Sequence, residues 1–377
     1  MATTVALTDA REGPPAGFCE LAAQVYAGDP DWIPEDPAAV RAAFSAGNPW
    51  FADGDGDNRA WVACVPGVVR AALFVPAGLQ MDGQRTAFVG YWECTDGADD
   101  AAGGMLAALE DHARGLGIRQ LLGPVNFGTA GNYRFVVRRE PGAVPFVGEP
   151  YNPLRYAGTW TAHGYGTHLE YLTQLTRLPE ERRQQGRTMQ QRLERSGYRF
   201  VALTPDEWLS RLDELHGVVN AIFAENPGYR PINAAMFRSL CGASFIRKTC
   251  PVSSVLALDP SGAVAGFSLL NPHWGPLVVQ GAGESRVPVG EIDHAVHFAR
   301  LQSLGPVSAI CKTLGVLPPF RHRGLMVALT AWMLDRGESL YDTWYGALIR
   351  SDNPSRKLGT RTDFAKRWYV LLGKSLD

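Results

Sequence analysis

The chain has 377 residues, 46% of them hydrophobic and 20% charged, which indicates a globular protein of about two domains with apolar cores. It has no apolar stretch fit to span a bilayer and no N-terminal secretion signal, and its six scattered cysteines form no CxxC pair. These features argue against a membrane-spanning protein, a zinc site and a disulfide framework. They predict a cytoplasmic protein with reduced thiols and no metal.

Charge is unevenly distributed along the chain, although the net charge is only −2. Residues 1–100 carry five Lys/Arg against fifteen Asp/Glu, whereas the remaining residues carry 31 against 23. A basic portion of this kind suits an anionic ligand, either a phosphate-bearing cosubstrate or a nucleic acid.

The first half of the sequence alternates short helices and strands. In chain order, the patterns predict helices over 14–27 and 37–46, strands over 59–65, 69–75 and 85–94, a helix over 101–116 and a strand over 119–122. The last helix follows an acidic turn, where Asp99 or Asp100 is a suitable N-cap. Residues 141–176 are rich in Pro, Gly and Tyr and contain the compact run EPYNPLRY, and no element is assigned to them.

The second half repeats the same order of elements after a charged connecting helix over 179–194. The patterns predict a strand over 198–203, helices over 205–224 and 232–240, strands over 254–258 and 263–270, a helix over 291–301, a strand over 308–317, a helix after Gly324, and strands over 343–350 and 364–372. The repetition indicates a duplicated fold.

The turn that follows the predicted strand 308–317 has the composition of a phosphate-binding turn. Three basic residues and a glycine stand between a strand and a helix, in the order Arg321, His322, Arg323 and Gly324. Unpaired N–H groups at a helix start point toward an anion, and the helix dipole adds to their attraction. An ordinary strand-to-helix connection with solvated arginines is the alternative interpretation.

The second half resembles a Gcn5-related N-acetyltransferase (GNAT) domain around this turn. The residues that match the signature of that family are Val316, Pro318, Phe320, Arg321 and Gly324. Met326 departs from it, because the family usually has Gly or Ala at this position. Asn353 matches a later landmark of the family, whereas Thr360 stands where a tyrosine acid is often found.

The whole chain is similar to bacterial tandem-GNAT proteins of poorly defined function. The shared runs are Trp92-Glu93, residues 123–127 and residues 150–153. The resemblance implies an α/β (mixed α+β) fold with two tandem GNAT-like domains, each a mixed, mostly antiparallel sheet flanked by helices. We predict a degenerate first domain over 1–176, a connecting helix over 177–196, and a second domain over 197–377 with the acyl-CoA-type loop. The acidic turn of the first domain would repel phosphates.

The resemblance also implies acetyl-CoA or another acyl-CoA as cosubstrate, held by the second domain. The implied cofactor-binding residues are Val316, Arg321, His322, Arg323, Gly324, Leu325, Met326, Val327 and Asn353. The phosphates would lie on the N–H groups of residues 323–327. A backbone N–H near Val316 would stabilise the oxyanion formed when an amine attacks the thioester.

The catalytic base and the acceptor site have two interpretations each. Glu93 and Glu225 are the candidate bases, and a strand-end ion pair and a solvated helix end are the respective structural alternatives. Asn126, Tyr151 and Asn152 are candidate substrate-binding residues at the join between the halves, with tight-turn roles as the alternative.

Three functions fit these observations. The favoured one is transfer of an acyl group, acetyl first among the candidates, from acyl-CoA to an amine of a small molecule. The second is an aminoacyl-tRNA-dependent transferase of the Fem-like tandem-GNAT type that acts on a small-molecule acceptor. Its RNA would bind the arginines of 182–199 and the basic segment 350–374. The third is a non-catalytic metabolite-binding protein that keeps the fold.

Overall fold

The computed structural model describes residues 5–53, 57–177, 180–280, 286–353, 356 and 363–377. Its strands are β1 (Thr8–Asp9), β2 (Arg59–Val65), β3 (Val69–Val75), β4 (Gln80–Met81), β5 (Gln84–Cys94), β6 (Gln120–Gly123), β7 (Phe135–Arg139), β8 (Gly166–Thr176), β9 (Arg199–Ala202), β10 (Val255–Leu258), β11 (Val264–Pro272), β12 (Ser308–Val316), β13 (Thr343–Arg350) and β14 (Asp363–Ser375). Its α-helices are α1 (Leu21–Val25), α2 (Pro37–Ala43), α3 (Asp99–Gly115), α4 (Arg155–Ala162), α5 (Glu180–Arg195), α6 (Pro205–Ser210), α7 (Leu212–Phe223), α8 (Ala234–Cys241), α9 (Ala243–Ile246), α10 (His294–Ser303) and α11 (Leu325–Gly337).

One continuous sheet joins the two halves. Its order is β1-β2-β3-β5-β6-β14-β8-β13-β12-β11-β10-β9, with β4 beside β5 and β7 beside β14. The pairs β5/β6 and β12/β13 are parallel, and the other pairs are antiparallel. Each half thus contains one parallel pair whose strands are joined through a helix, α3 in the first half and α11 in the second. The predicted mixed, mostly antiparallel architecture is confirmed.

The centre of the sheet is formed by β8 and β14. The last strand of the chain, β14, lies between β6 and β8 and pairs with β7 as well. On its other side β8 pairs with β13 of the second half. The predicted domain boundaries at 176 and 197 are therefore boundaries in the sequence. In the sheet, β14 belongs with the strands of the first half although it follows the second half in sequence.

Helices cover both faces of the sheet because each presents an apolar stripe. On α3 the buried residues recur every three or four positions, as Ala102, Met105, Leu106 and Leu109 show. Full burial of one such leucine contributes about 2 kcal/mol. In the second half, α5 and α11 cover one face and α6–α9 the other, each over its own apolar cluster.

The predicted elements differ from the structure mainly between residues 141 and 176. The strands predicted over Arg59–Val65, Val69–Val75 and Thr343–Arg350 are confirmed to the residue. The Pro-, Gly- and Tyr-rich stretch, to which the sequence patterns assigned no element, contains α4 and β8. Tertiary packing stabilises these elements, since Tyr156 and Trp160 of α4 are wholly buried.

Two predicted helices are shorter or divided. The helix predicted over 205–224 breaks at Arg211 into α6 and α7. The one predicted over 14–27 is regular only over Leu21–Val25, because Pro14, Pro15 and Gly17 precede it. In the described part of the chain, no helix has the length and apolar content that a bilayer crossing needs.

Candidate functional site

The parallel strands β12 and β13 separate partway along their length. They pair from Ser308↔Thr343 to Cys311↔Gly346 and no further. On its other edge β12 pairs Cys311 with Leu270 and Thr313 with Leu269, which leaves Lys312 as the extra residue of a β-bulge. A bulge bends its strand. The bend at Lys312 coincides with the point at which the two strands diverge, so a gap opens in the sheet there.

The turn after β12 leads to a helix start that no side chain caps. Gly324, at φ 89°, is the N-cap of α11, and neither a side-chain cap nor an acidic residue is present in the first turn. Met326 and Val327 of that turn are 39% and 41% exposed. The first N–H groups of a helix have no partner within the helix. This terminus therefore offers donors and a positive dipole end to an anion.

The basic side chains of the turn have defined contacts. Arg321 forms an ion pair with Glu225 at 2.5 Å and donates hydrogen bonds to the carbonyl oxygens of Val316 (3.3 Å) and Ile222 (3.2 Å). Arg323 lies 5.9 Å from the ring centroid of Phe320. Arg321 thus fastens the turn to the end of α7, and its charge is partly neutralised.

The left-handed backbone of Gly324, at φ 89°, favours glycine at this position. A Cβ there would also meet the side chain of Met189 on α5, which is flexible and can shift. Gly324 therefore lies where α5, the predicted connecting helix, packs along α11.

A cavity of about 1480 Å³ runs between the two halves of the chain. On the second half it is lined by Met326 and Thr330 of α11 and by the diverging segments of β12 and β13. On the first half it reaches Glu93 near the end of β5. Met326 in the first turn of α11, the gap in the sheet and the first half therefore face one common space, whereas Val316, Val327 and residues 321–325 are outside its lining.

Glu93 is a buried carboxyl group with three polar neighbours. The Tyr156 hydroxyl donates to it at 2.8 Å and the Tyr26 hydroxyl at 3.2 Å, and Arg70 lies 3.8 Å away. Burial raises the pKa of Glu93 to about 7, opposed mainly by the positive charge of Arg70. Arg70 itself is wholly buried and pairs with Glu35 at 2.7 Å. A carboxyl group with this pKa is partly ionised at neutral pH.

The other predicted base, Glu225, is in a different environment. Its side chain is 69% exposed and paired with Arg321. It does not belong to the lining of the cavity, whereas the neighbouring Asn226 does. The structure therefore brings Glu93, and not Glu225, to the common space.

The predicted substrate-binding residues are largely engaged in hydrogen bonds. Asn126 accepts from the Tyr91 N–H at 2.8 Å, and Tyr151 donates to Asp29 at 2.6 Å. Asn152 is buried and exchanges hydrogen bonds with the backbone of Val136 at 2.7 and 3.1 Å. All three line the cavity. The side chain of Asn152 is used in hydrogen bonds to the backbone, so its role is structural. Asn353 also lines it, next to Arg350.

The first half has no corresponding gap. Its parallel pair runs from Thr86↔Gln120 to Phe88↔Leu122, and the chain that follows β6 fills the place beyond. The Val125 N–H donates to the Val89 carbonyl at 2.8 Å, and a Cβ at Gly90 would overlap the Val125 carbonyl. Helix α3, which joins this parallel pair, also begins with two carboxylates, Asp99 and Asp100.

Sequence reasoning missed several cations that line the cavity, among them Arg70, Arg134 and Lys312. None lies in a recognisable motif, and each is brought to the cavity by strand pairing or a turn. The positive φ of Arg134 has no signal in the sequence, although the glycine-rich run before it predicts an irregular turn. Among the described residues no group of three His, Cys, Asp or Glu side chains is placed to hold a metal ion.

Comparison with known proteins gives matches to solved structures alone. No protein-family profile and no curated protein matches the chain. A GCN5-related glucosamine N-acetyltransferase region of a fungal multi-domain GH3 beta-N-acetylglucosaminidase matches 99% of this chain at 13% identity and a TM-score of 0.51. This chain spans 38% of the length of that fungal protein.

Two further structures are similar over nearly the whole chain. A probable N-acyltransferase of unknown function from Enterococcus faecalis V583 matches 99% of this chain and 73% of its own length, at 8% identity and a TM-score of 0.51. A tandem GNAT protein from the clavulanic acid biosynthesis pathway matches 96% of this chain and 93% of its own length, at 14% identity and a TM-score of 0.47. Likeness at such identities concerns the fold.

Proposed function

From the premise that this chain has a tandem GNAT fold, we propose that it transfers an acyl group, acetyl first among the candidates, from acyl-CoA to an amine of a small molecule. The observation that supports this most is the continuity of three features along one cavity. These are the uncapped start of α11, the gap that opens at the bulge of Lys312, and the carboxyl group of Glu93. We place the activity in the cytoplasm, because all six cysteines are free thiols.

The donor would bind to the second half. Its phosphates would accept hydrogen bonds from the N–H groups of residues 323–327, and its pantetheine arm would follow β12 past Val316 into the gap. The thioester carbonyl would then lie near the bulge at Lys312, where β12 has lost its partner on one side. In this proposal the oxyanion donor would lie upstream of Val316, whereas the sequence analysis expects it near Val316 itself. The first half, whose gap is filled, would hold no second donor.

The reaction needs one proton acceptor. The amine nitrogen attacks the thioester carbon, the C–N bond forms, and the C–S bond breaks as the thiolate of CoA leaves. We assign the removal of the amine proton to Glu93, directly or through a water, because its pKa of about 7 makes it a competent base at neutral pH. The thiolate takes a proton from solvent, since a thiol is a good leaving group.

A charge placed in the first turn of α11 tests donor binding. Met326→Glu puts a carboxylate where the phosphates would lie, as Asp99 and Asp100 do in the first half, and Met326→Gln is the neutral control of the same shape. A carboxylate in a first turn stabilises a helix, so the fold should be retained. In calorimetry, acetyl-CoA should bind the wild type and the Gln variant, and the Glu variant about tenfold or more weakly. Absence of binding to the wild type would refute the proposal.

A further inference from the structure

We propose that the acceptor carries an anionic group, a carboxylate or a phosphate, which Arg134 and Lys312 bind in the cavity between the halves. This inference rests on the proposed acyl transfer in so far as the bound molecule is taken to be the acceptor of the acyl group. The anion site itself is argued from the two cations and is testable without any turnover.

Arg134 is a buried cation without a carboxylate partner. It is 7% exposed, and its guanidinium lies 3.7 Å from the ring centroid of Tyr133 and 3.9 Å from that of Tyr171. It donates to the Tyr133 hydroxyl, while its Nε is buried with no hydrogen-bond partner. Within the described parts of the chain, no Asp or Glu forms an ion pair with it. A buried unpaired charge costs several kcal/mol unless a counter-ion completes it.

Two other buried arginines, Arg70 and Arg367, have carboxylate partners. Arg70 pairs with Glu35 at 2.7 Å, and Arg367 pairs with Glu149 at 3.1 Å. Both are neutralised within the protein. Arg134 is instead flanked by two aromatic rings, which hold a guanidinium in place and supply no negative charge. The contrast indicates that its counter-ion comes from outside the chain.

The backbone holds Arg134 in an unfavourable conformation. Its φ is 91°, in the left-handed region that non-glycine residues rarely adopt. Its N–H donates to the Pro124 carbonyl at 2.9 Å, which fixes the turn beside the end of β6. Strain of this kind persists where the surroundings impose it, and it is concentrated at ligand-binding sites.

Lys312 adds a second charge next to the first. It is the bulge residue of β12, lines the same cavity, and donates to the Gly148 carbonyl at 3.3 Å. Its side chain is exposed to the solvent of the cavity, which protein encloses on several sides. Reduced solvation in this enclosed position, with a further contribution from the positive charge of Arg134, lowers the pKa of Lys312 to about 8. Lys312 is therefore largely protonated at neutral pH and is close enough to Arg134 to feel its field.

Glu149, the carboxylate that acts on Lys312, is already engaged. Glu149 accepts from the Phe146 N–H at 3.0 Å, from Arg367 and from the Tyr369 hydroxyl. The group therefore contains three cations and one carboxylate. The excess positive charge faces the cavity at the gap between β12 and β13, beside the place of acyl transfer. An amine whose own carboxylate or phosphate lies a short distance from its nitrogen could bind these cations and still present its nitrogen to the thioester.

Thermal stabilisation by inorganic phosphate tests the site without catalysis. The parent is the Met326→Glu variant, in which the start of α11 no longer attracts phosphate. Replacing chloride by phosphate at constant ionic strength should raise its melting temperature, because a ligand that binds only the folded state stabilises it. Adding Arg134→Gln or Lys312→Gln to this parent should remove the rise in melting temperature. The melting temperature of each double variant in chloride shows whether it is folded. No rise in the parent, or an equal rise in both double variants, would overturn the inference.

Paired amines distinguish the source of the anion. Glycine against glycinamide, and glucosamine 6-phosphate against glucosamine, differ only in the anionic group. We expect kcat/KM to be higher for the anionic member of each pair. Arg134→Gln should lower kcat/KM for that member about 10- to 100-fold, through KM, and should reduce the ratio between the two members. Arg134→Lys should restore part of the loss, and acetyl-CoA affinity should not change.

Two results would separate the failures. If Arg134→Gln lowered kcat equally for all amines, the cation would act on the oxyanion and the acceptor site would be wrong. If no amine were acylated while phosphate still stabilised the Met326→Glu parent through Arg134, the proposed acyl transfer would fail and the anion site would stand.

Discussion

The ionisation of Glu93 shows how the packing around one side chain sets its chemistry. The carboxyl group is enclosed by β5, α1 and α4, and Arg70, Glu35, Tyr26 and Tyr156 are the polar and charged groups that face it. Burial favours the neutral acid and Arg70 favours the anion. Burial is the larger effect, so the folded-state pKa lies above the value in the unfolded chain.

This shift predicts a pH dependence of stability. Because the folded pKa is raised, the stabilising contribution is complete below about pH 4.5 and is lost as the pH rises through about 7. A difference of this size corresponds to about 3 kcal/mol. Between these limits the free energy of unfolding of the wild type should fall relative to Glu93→Gln, measured by urea denaturation. A constant difference across the range would contradict the raised pKa. The same variant should lower kcat about a hundredfold.

At the residue scale, sequence reasoning found positions and missed their reasons. Glu93 was singled out as a candidate base, without the burial that raises its pKa. Asn152 was also singled out, yet its side chain is used within the fold. Arg134 was not considered, because its burial and its left-handed backbone follow from the path of the chain after β6.

At the scale of elements, β14 determines how the halves are joined. It follows the second half in sequence and pairs with β6, β7 and β8 of the first. Its residues Tyr369, Leu371 and Leu372 are buried in the cores of the first half. The first half without β14 therefore has exposed strand edges and two incomplete apolar clusters.

This arrangement predicts the outcome of dividing the chain. A fragment of residues 1–176 should fail to fold, because its central strand is missing. The same fragment with residues 363–377 attached through a flexible linker should show cooperative unfolding by circular dichroism. A linker followed by the same fifteen residues in scrambled order is the matched control. Cooperative unfolding of the unextended fragment would show that β14 is dispensable to it.

At the scale of the whole molecule, the two halves keep one architecture and differ in chemistry. The second half has a gap between its parallel strands and a helix start free of acidic residues. The first half fills its gap with its own chain and places carboxylates at the helix start. The strongly acidic composition of residues 1–100 thus corresponds to a half that would repel phosphates and that, in the proposed reaction, would supply the base.

The distribution of charge also bears on the tRNA-dependent alternative. Arg183 pairs with Glu338 at 2.5 Å and Arg187 with Asp335 at 2.6 Å, so α5 presents part of its positive charge to α11. We expect weak binding of aminoacyl-tRNA at physiological salt and acyl transfer that ribonuclease does not affect. Filter binding over a salt series measures this. Tight binding that weakens steeply with salt, with aminoacyl transfer, would instead support the alternative.

Turnover of an amine with acyl-CoA separates the enzyme from the third possibility, a metabolite-binding protein. The presence of a base candidate in the cavity favours turnover. A protein that binds acetyl-CoA and acylates none of a broad panel of amines, including the anionic ones, would agree with binding alone.

The sequence by itself determined the local elements, the repeated order and the turn from Val316 to Gly324. These depend on apolar periodicity, on turn residues and on a short signature, all of which are contiguous in the chain. It did not determine that β14 pairs within the first half, that Met189 of α5 lies beside Gly324, or that Arg134, Lys312 and Glu93 line one cavity. Those facts depend on contacts between distant segments, and only tertiary packing decides such contacts, together with the burial and charge that follow from them.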